Sequence, residues 1–326
     1  MQMLMFSDRT AALLRDSGLR VAITGAGGWI GCATIEMLDS ALGENFDKRV
    51  FAFGSQPKEM MTRSGRKVHI TSLAELGRLP PAPTLLVHCA FLTKERVSRM
   101  SSEDYFRNSE DITRTVADAM HGIGVSHFLF PSSGAVYGLP TRSDRSLLDA
   151  PEENPYGTQK LRDEIRFRAV SKGLGIRLVV PRIFNVSGPL INKQDSYVLS
   201  SVINAVLSGA PIELHARRKV VRGYVALRDV LEVLFGWLLS STMPEQLVLD
   251  TGGRLVEAGE LAKRVLDVLH RTDLPIHRPP FGSEPDDVYF GEGAEFERLA
   301  RLQGVVLSPL DDQIAETAGY LKQTQA

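Results

Sequence analysis

Val21-Ala22-Ile23-Thr24-Gly25-Ala26-Gly27-Gly28-Trp29-Ile30-Gly31 joins an apolar run to a glycine turn, and a helical pattern follows at once. A turn of this kind, placed between a strand and the start of a helix, lets backbone amides close on a pyrophosphate. The general dinucleotide fingerprint asks for glycine at its first, third and sixth positions; counted from Gly25 the sixth residue is Ile30, so Gly25, Gly28 and Gly31 form a wider-spaced variant. Outward from this turn, apolar runs at 20–24, 49–53, 68–70, 85–90, 128–132 and 176–183 alternate with helical patterns. That alternation predicts an α/β chain with a doubly wound parallel sheet covered by helices on both faces. After Gly188-Pro189 the alternation weakens, and Gly209-Ala210-Pro211, Pro244, Pro275 and Pro279-Pro280 cut the chain into short pieces, as a smaller second domain would.

Two further segments carry chemistry. Tyr156-Gly157-Thr158-Gln159-Lys160 sets a phenol and an ammonium four residues apart, on one face of a helix. The cation there lowers the phenol's pKa, which suits a proton donor for a carbonyl or a base for an alcohol. Asn154 reads as the N-cap of that helix, Pro155 as its first residue and Gly173 as its stop. Upstream, Ser132-Ser133 ends an apolar run and offers hydroxyls that can stabilise developing alkoxide charge.

These segments, in this order, resemble the short-chain dehydrogenase/reductase superfamily, in particular its extended branch of epimerases, dehydratases and ketoreductases that mostly act on nucleotide sugars. Leu86-Val87-His88-Cys89-Ala90, Phe128 to Gly138, Asn154-Pro155-Tyr156-Gly157 and Pro181-Arg182-Ile183-Phe184-Asn185-Val186-Ser187-Gly188-Pro189 extend the resemblance over nearly the whole chain. It implies a Rossmann-type domain over 1–186, to which 220–239 can return, and a mainly substrate-binding α/β domain over 187–326. It also implies Tyr156 as acid/base, Lys160 as its electrostatic partner and ribose ligand, and Ser133 as the hydroxyl on the reacting oxygen. Cofactor contacts are expected from Gly25, Gly28, Trp29, Ile30, Gly31, Ala90, Lys94, Asn108, Ser132, Tyr156, Lys160 and Pro181. Asn185 and Arg222 are expected to join Ser133 on the substrate, the arginine as a fork for a diphosphate. The Arg222 segment departs from the usual pattern at Gly223 and Ala226, where Asp and His are common.

Cofactor choice turns on the end of the second strand, where an acid would bind the adenosine ribose of NAD. Gly54 stands there, followed by Ser55 and Lys58, with Arg63 and Arg66 in reserve, so NADP(H) is preferred and NAD(H) allowed. Gly134 and Ala135 follow Ser133, where sugar 4,6-dehydratases carry an acidic pair, and that reaction is therefore not expected. The leading expectation is a nucleotide-sugar ketoreductase. A sugar epimerase that oxidises C4 transiently needs the same residues and remains the alternative, with a reductase of a non-sugar carbonyl beside it. A cofactor-sensing protein without catalysis would be expected to have lost the tyrosine or the lysine.

Composition bounds the remainder. The chain has 326 residues, 43% of them hydrophobic, enough for a sizeable core, and its net charge of -1 gives no footprint for nucleic acid or an anionic membrane. Its two cysteines do not suggest a disulfide scaffold, and a reducing cytoplasm is expected. Residues 1–20 carry Asp8, Arg9, Arg15 and Asp16 and read as a short extra helix, and no run reaches the ~18 apolar residues of a membrane span. Seven histidines show no paired ligand spacing, so no metal is expected, and His88 reads as a core residue. The expected partner is a small molecule, with a homodimer allowed.

Overall fold

Every residue of Arg20–Thr24 is buried, as befits a strand covered on both faces at the middle of a parallel sheet. The computed structural model describes residues 4–138, 147–194, 197–240 and 246–325. Helix α1 (Asp8–Asp16) precedes this strand, β1 (Arg20–Thr24), and α2 (Trp29–Leu42) follows the glycine turn. Next come α3 (Phe46–Arg49), β2 (Val50–Gly54), β3 (Lys58–Met61), β4 (Lys67–Ser72), β5 (Thr84–His88), α4 (Lys94–Val97) and α5 (Ser102–Gly122). They lead to β6 (Val125–Leu129), β7 (Ser132–Ser133), α6 (Pro155–Leu174) and β8 (Arg177–Ile183). The chain continues through β9 (Asn185–Ser187), α7 (Val198–Leu207), β10 (Ile212–Glu213), β11 (Val220–Ala226), α8 (Leu227–Leu238) and β12 (Gln246–Asp250). It ends with β13 (Arg254–Glu257), α9 (Ala258–Val268), β14 (Ile276–His277), β15 (Asp287–Tyr289), α10 (Ala294–Gln303) and α11 (Leu310–Gln325).

The large sheet runs β12-β8-β6-β5-β1-β2-β4-β3, with β7 also on β8. β1 is parallel to both β2 and β5, and Thr24 lies in register with Phe53 on one side and His88 on the other. Strand order reverses at this point, and ligands of such sheets bind beyond the carboxyl ends of the strands there. Ala22, Leu86, Phe128, Phe130, Leu178 and Val180 form a core face against Val116 and Met120 of α5 and Phe167 of α6.

Two details differ from expectation. Helix α6 runs through Gly173 to Leu174, because Gly175 and not Gly173 takes the left-handed φ of +66° that ends it. Residues 58–61, outside the apolar runs from which strands were read, form an antiparallel hairpin with β4. Asp39 of α2 braces the turn of that hairpin, accepting from Thr62 Oγ1 at 2.9 Å and pairing with Arg66 Nε at 2.6 Å. Arg66 also donates to Asp47 at 2.6 Å and the Gly43 carbonyl at 2.9 Å, so it is no reserve ligand for a cofactor phosphate.

Residue contacts separate a larger unit, 5–182 with 234–249, from a smaller one, 183–233 with 250–325 and Leu4, each taken over its described residues. The division falls before 186 because β9 pairs in parallel with β11 of the smaller unit, Asn185 opposite Tyr224. β11 and the first part of α8 stay with that unit, and the returning segment is 234–249. Among the described residues no helix is long and apolar enough to cross a membrane.

Candidate active site

The glycine turn is shaped by close approach to β5. Gly25 has φ +68°, and a Cβ there would stand 2.5 Å from the Ala90 nitrogen, so only glycine fits. Gly28 N–H donates to the Gly25 carbonyl at 2.9 Å and Gly28 caps α2, whose first turn holds Trp29, Ile30 and Gly31 and no acid. Amides at a positive helix end, with no acid in the first turn to compete, fit a pyrophosphate. Below the turn, Thr24 Oγ1 and His88 Nδ1 lie 2.6 Å apart, and the Ala90 amide donates to the same threonine oxygen at 3.4 Å. His88 is buried and stacked on Phe130, and burial, with Lys160 nearby, lowers its pKa to about 3, so it stays neutral.

At the rim, Gly54 ends β2 with no acid, Ser55 is exposed, and Lys58 opens β3 with its Nζ against Gly27, where a Cβ would strike it. Arg63, the other reserve, gives its backbone amide to Glu36 at 3.0 Å.

The proton-transfer candidates come together through α6. Asn154 caps the helix, accepting from Gly157 N at 3.0 Å while its Nδ2 donates to the Ala135 carbonyl at 3.2 Å. Gly157, beside Tyr156, packs without a side chain on that same carbonyl, and any Cβ would meet backbone. Helix and Ser133 turn are thereby clamped together. Ser133 Oγ accepts from Ala135 N at 3.2 Å, starting the tight turn Gly134–Tyr137. Lys160 is buried, donates to the Pro131 carbonyl at 2.8 Å and lies 3.8 Å from the Phe91 ring centroid. Tyr156 meets that same ring edge-on at 5.4 Å, so one phenylalanine seats both side chains. Burial lowers the Lys160 pKa to about 8 despite the opposing pull of Asp163, Cys89 and Glu164.

Other expected contacts are placed differently. Ser132 is buried, and its hydroxyl donates to Glu164 Oε1 at 2.6 Å. Glu164 in turn takes the fork of Arg182, at 3.1 Å from Nε and 2.8 Å from Nη2, and Arg182 donates to Tyr137 at 2.8 Å. Asn108 lies on the exposed face of α5, whose buried face carries Tyr105, Ser109 and Thr113; Lys94 is exposed in α4, and Pro181 is buried in β8. In the smaller unit, Asn185 Nδ2 donates to the Gly223 carbonyl at 3.4 Å, one residue from Arg222. The Arg222 fork is taken by Asp287, at 3.0 Å and 2.9 Å, so an anion there would compete with a carboxylate.

The profile of the NAD dependent epimerase/dehydratase family matches residues 21–246, more than half of the chain. The chain belongs to that family. This epimerase/dehydratase is 25% identical to a UDP-glucose 4-epimerase of Mycoplasma genitalium over 234 residues, covering 66% of this chain and 68% of the relative. It is 24% identical to a dTDP-L-rhamnose 4-epimerase of Burkholderia thailandensis, covering 74% and 78%. Its fold matches the Thermus thermophilus UDP-glucose 4-epimerase solved with NAD, at TM-score 0.67 and 21% identity over 93% of this chain and 99% of that one. Phe91, Glu164 and Arg182 were not expected from the epimerase/dehydratase sequence. An arginine inside the apolar run Val179-Val180-Pro181-Arg182-Ile183 was the one available signal, since a partly buried guanidinium requires a partner.

Proposed function

We propose that this protein inverts C4 of a nucleotide sugar, the alternative left open by the residues alone, in preference to net reduction of a keto sugar. The observation that carries the proton-transfer chemistry, which epimerisation and reduction share, is the common seat of Tyr156 and Lys160 on Phe91, with the Ser133 turn clamped beside them through Asn154 and Gly157. The names of the relatives favour epimerisation. A bound nicotinamide supplies the reversible hydride acceptor that oxidation at C4 needs. Tyr156, with its phenolate favoured by the Lys160 cation, takes the proton of the C4 hydroxyl and returns it once the other face of the sugar is presented. Ser133 donates a hydrogen bond to the reacting oxygen. Gly134 and Ala135 supply no acid or base for water elimination, which argues against dehydration. Asn185 and Arg222 are proposed to receive the nucleotide's phosphates, which would have to displace Asp287 from the arginine's fork.

The test is incubation with 4-hydroxy and 4-keto nucleotide sugars, with and without added NADPH. Interconversion of two 4-epimers without added cofactor and without net change at ~340 nm, the band of the reduced nicotinamide, is the expected result. Stoichiometric loss of NADPH on a keto sugar, with no epimerisation, would defeat it.

Net reduction remains the second reading because one observation favours NADP(H). Gly54 leaves the ribose site without an acid, and Lys58 Nζ stands at Gly27 where a 2'-phosphate would be neutralised. Gly54→Asp would set its Cβ only 3.0 Å from Ile70 Cγ2, so Lys58→Glu is the cleaner probe. Calorimetric titration is expected to show NADPH binding to Lys58→Glu weakened ~10-fold or more, with NADH little changed. Tighter binding of NADH than of NADPH by the unaltered protein would overturn the preference.

A further inference from the structure

Asp163 stands one turn after Lys160 on α6, and both side chains are buried. A carboxylate in such a place is costly unless its charge is met. Thr113 Oγ1 of α5 and Gln159 Nε2 of α6 both donate to Asp163 Oδ1 at 2.8 Å. Oδ2 is buried and, among the described residues, meets no hydrogen-bond donor. Two neutral donors fix the carboxyl group, then, and neither cancels its charge.

Among the described residues the other charged groups around Lys160 have partners or are exposed. Glu164, on the same helix, is held by Arg182 of β8 and by Ser132. From the end of β5, His88 is neutral and the Cys89 thiol is pushed up to about 12 by burial. From α5, Tyr105 donates its hydroxyl to the Leu92 carbonyl, and Glu110 pairs with Arg166. Arg162 lies over the Phe106 ring at 4.5 Å and acts on Asp163 more weakly than Lys160 does. Lys94, Glu95 and Arg96 of α4, and Glu152 and Glu153 before α6, are exposed.

We propose that Asp163 is a positioning residue for the Tyr156–Lys160 pair, its carboxylate serving as the buried counter-charge that keeps Lys160 cationic and so sets the pH range in which Tyr156 exchanges its proton. The proposal rests on the reading of Tyr156 and Lys160 as the proton-transfer pair. Burial raises the Asp163 pKa to about 6, against Lys160, Thr113 and Gln159, and lowers that of Lys160 to about 8, so between these values both groups are charged. Below that window the carboxylate takes a proton and its support of Lys160 is lost; above it the ammonium gives one up.

Lys160 and Asp163 can be followed by NMR in the full-length protein labelled with 13C at lysine Cε and aspartate Cγ, with Lys160→Arg and Asp163→Asn assigning the signals. Asp163→Asn is expected to lower the Lys160 midpoint by about one pH unit or more. Lys160→Met should raise the Asp163 midpoint in return, since the coupling is reciprocal. Thr113→Val, which removes a donor and keeps the charge, should raise the Asp163 midpoint and leave the upper edge of the window in place. In turnover, the alkaline limb of the Asp163→Asn pH profile should move to lower pH, whereas a merely structural role would lower the plateau without moving the limb. A Lys160 midpoint unmoved in folded Asp163→Asn overturns the proposal. So does an Asp163 carboxyl found protonated at pH 7.5 in the unaltered protein, a measurement that requires no variant to fold. Because the titrations are independent of turnover, they stand or fall separately from the reading of Tyr156 as acid/base.

Discussion

Tyr156→Phe is expected to lower turnover by ~100-fold or more while leaving cofactor affinity little changed. The substitution removes one oxygen and its transferable proton. The ring that meets Phe91 edge-on is kept, and so is the Lys160 seat on the same phenylalanine. Steady-state kinetics on whichever sugar is turned over, together with a cofactor titration, separate the two quantities. Turnover within a few-fold of normal would remove Tyr156 from the proposed mechanism. Loss of cofactor binding in equal measure would point instead to a ribose contact.

The second large effect falls on stability. Glu164 is 2% exposed, accepts from Ser132 and from Nε and Nη2 of Arg182, itself about one-fifth exposed. Glu164→Ala would leave a partly buried guanidinium and a buried hydroxyl without their acceptor, at a cost of about 3 kcal/mol. Arg182 would retain Tyr137, whose ring lies 4.9 Å beneath it. Pairing Glu164→Leu with Arg182→Met should recover much of the loss, because removing both charges spares the desolvation that a lone survivor suffers. Urea unfolding of the two single variants and the double variant measures this. A cost under about 1 kcal/mol for Glu164→Ala would mean that the pair contributes little beyond its exposed rim.

The parts legible in the sequence were those in which local chemistry has few solutions. The glycine turn could be placed because β1 must be apolar on both sides and Gly25 must adopt φ +68°. Asn154 and Pro155 announced the start of α6, since a cap and a first-turn proline act within a few residues of themselves. The stop of α6 was misread because Gly173 and Gly175 are chemically alike and only packing selects between them. Long-range contacts were opaque. Phe91 lies 65 residues before Tyr156, and nothing in its neighbours announces a platform for a lysine. The hairpin at 58–61 was missed because its residues are mostly exposed and its two charges precede two methionines, so it lacks the apolar alternation by which strands are recognised. Asn108 looked suitable by position alone, yet the helical period turns it outward and Ser109 inward.

That hairpin has a bearing on handling and redesign of the protein. β3 is one end of the nine-stranded sheet, and its outer backbone groups are a template on which another chain could add a strand. It carries Lys58 and Glu59, and Glu59 is tied to Lys67 across the hairpin at 2.7 Å, so a strand approaching from outside meets fixed charge. Replacing 55–66 by a shorter connection to alter nucleotide preference would uncover the edge of β4, where Val68 and Ile70 are buried. Such a graft would tend toward edge-to-edge aggregation during expression, whereas single substitutions at Lys58 leave the guarding pair of charges in place.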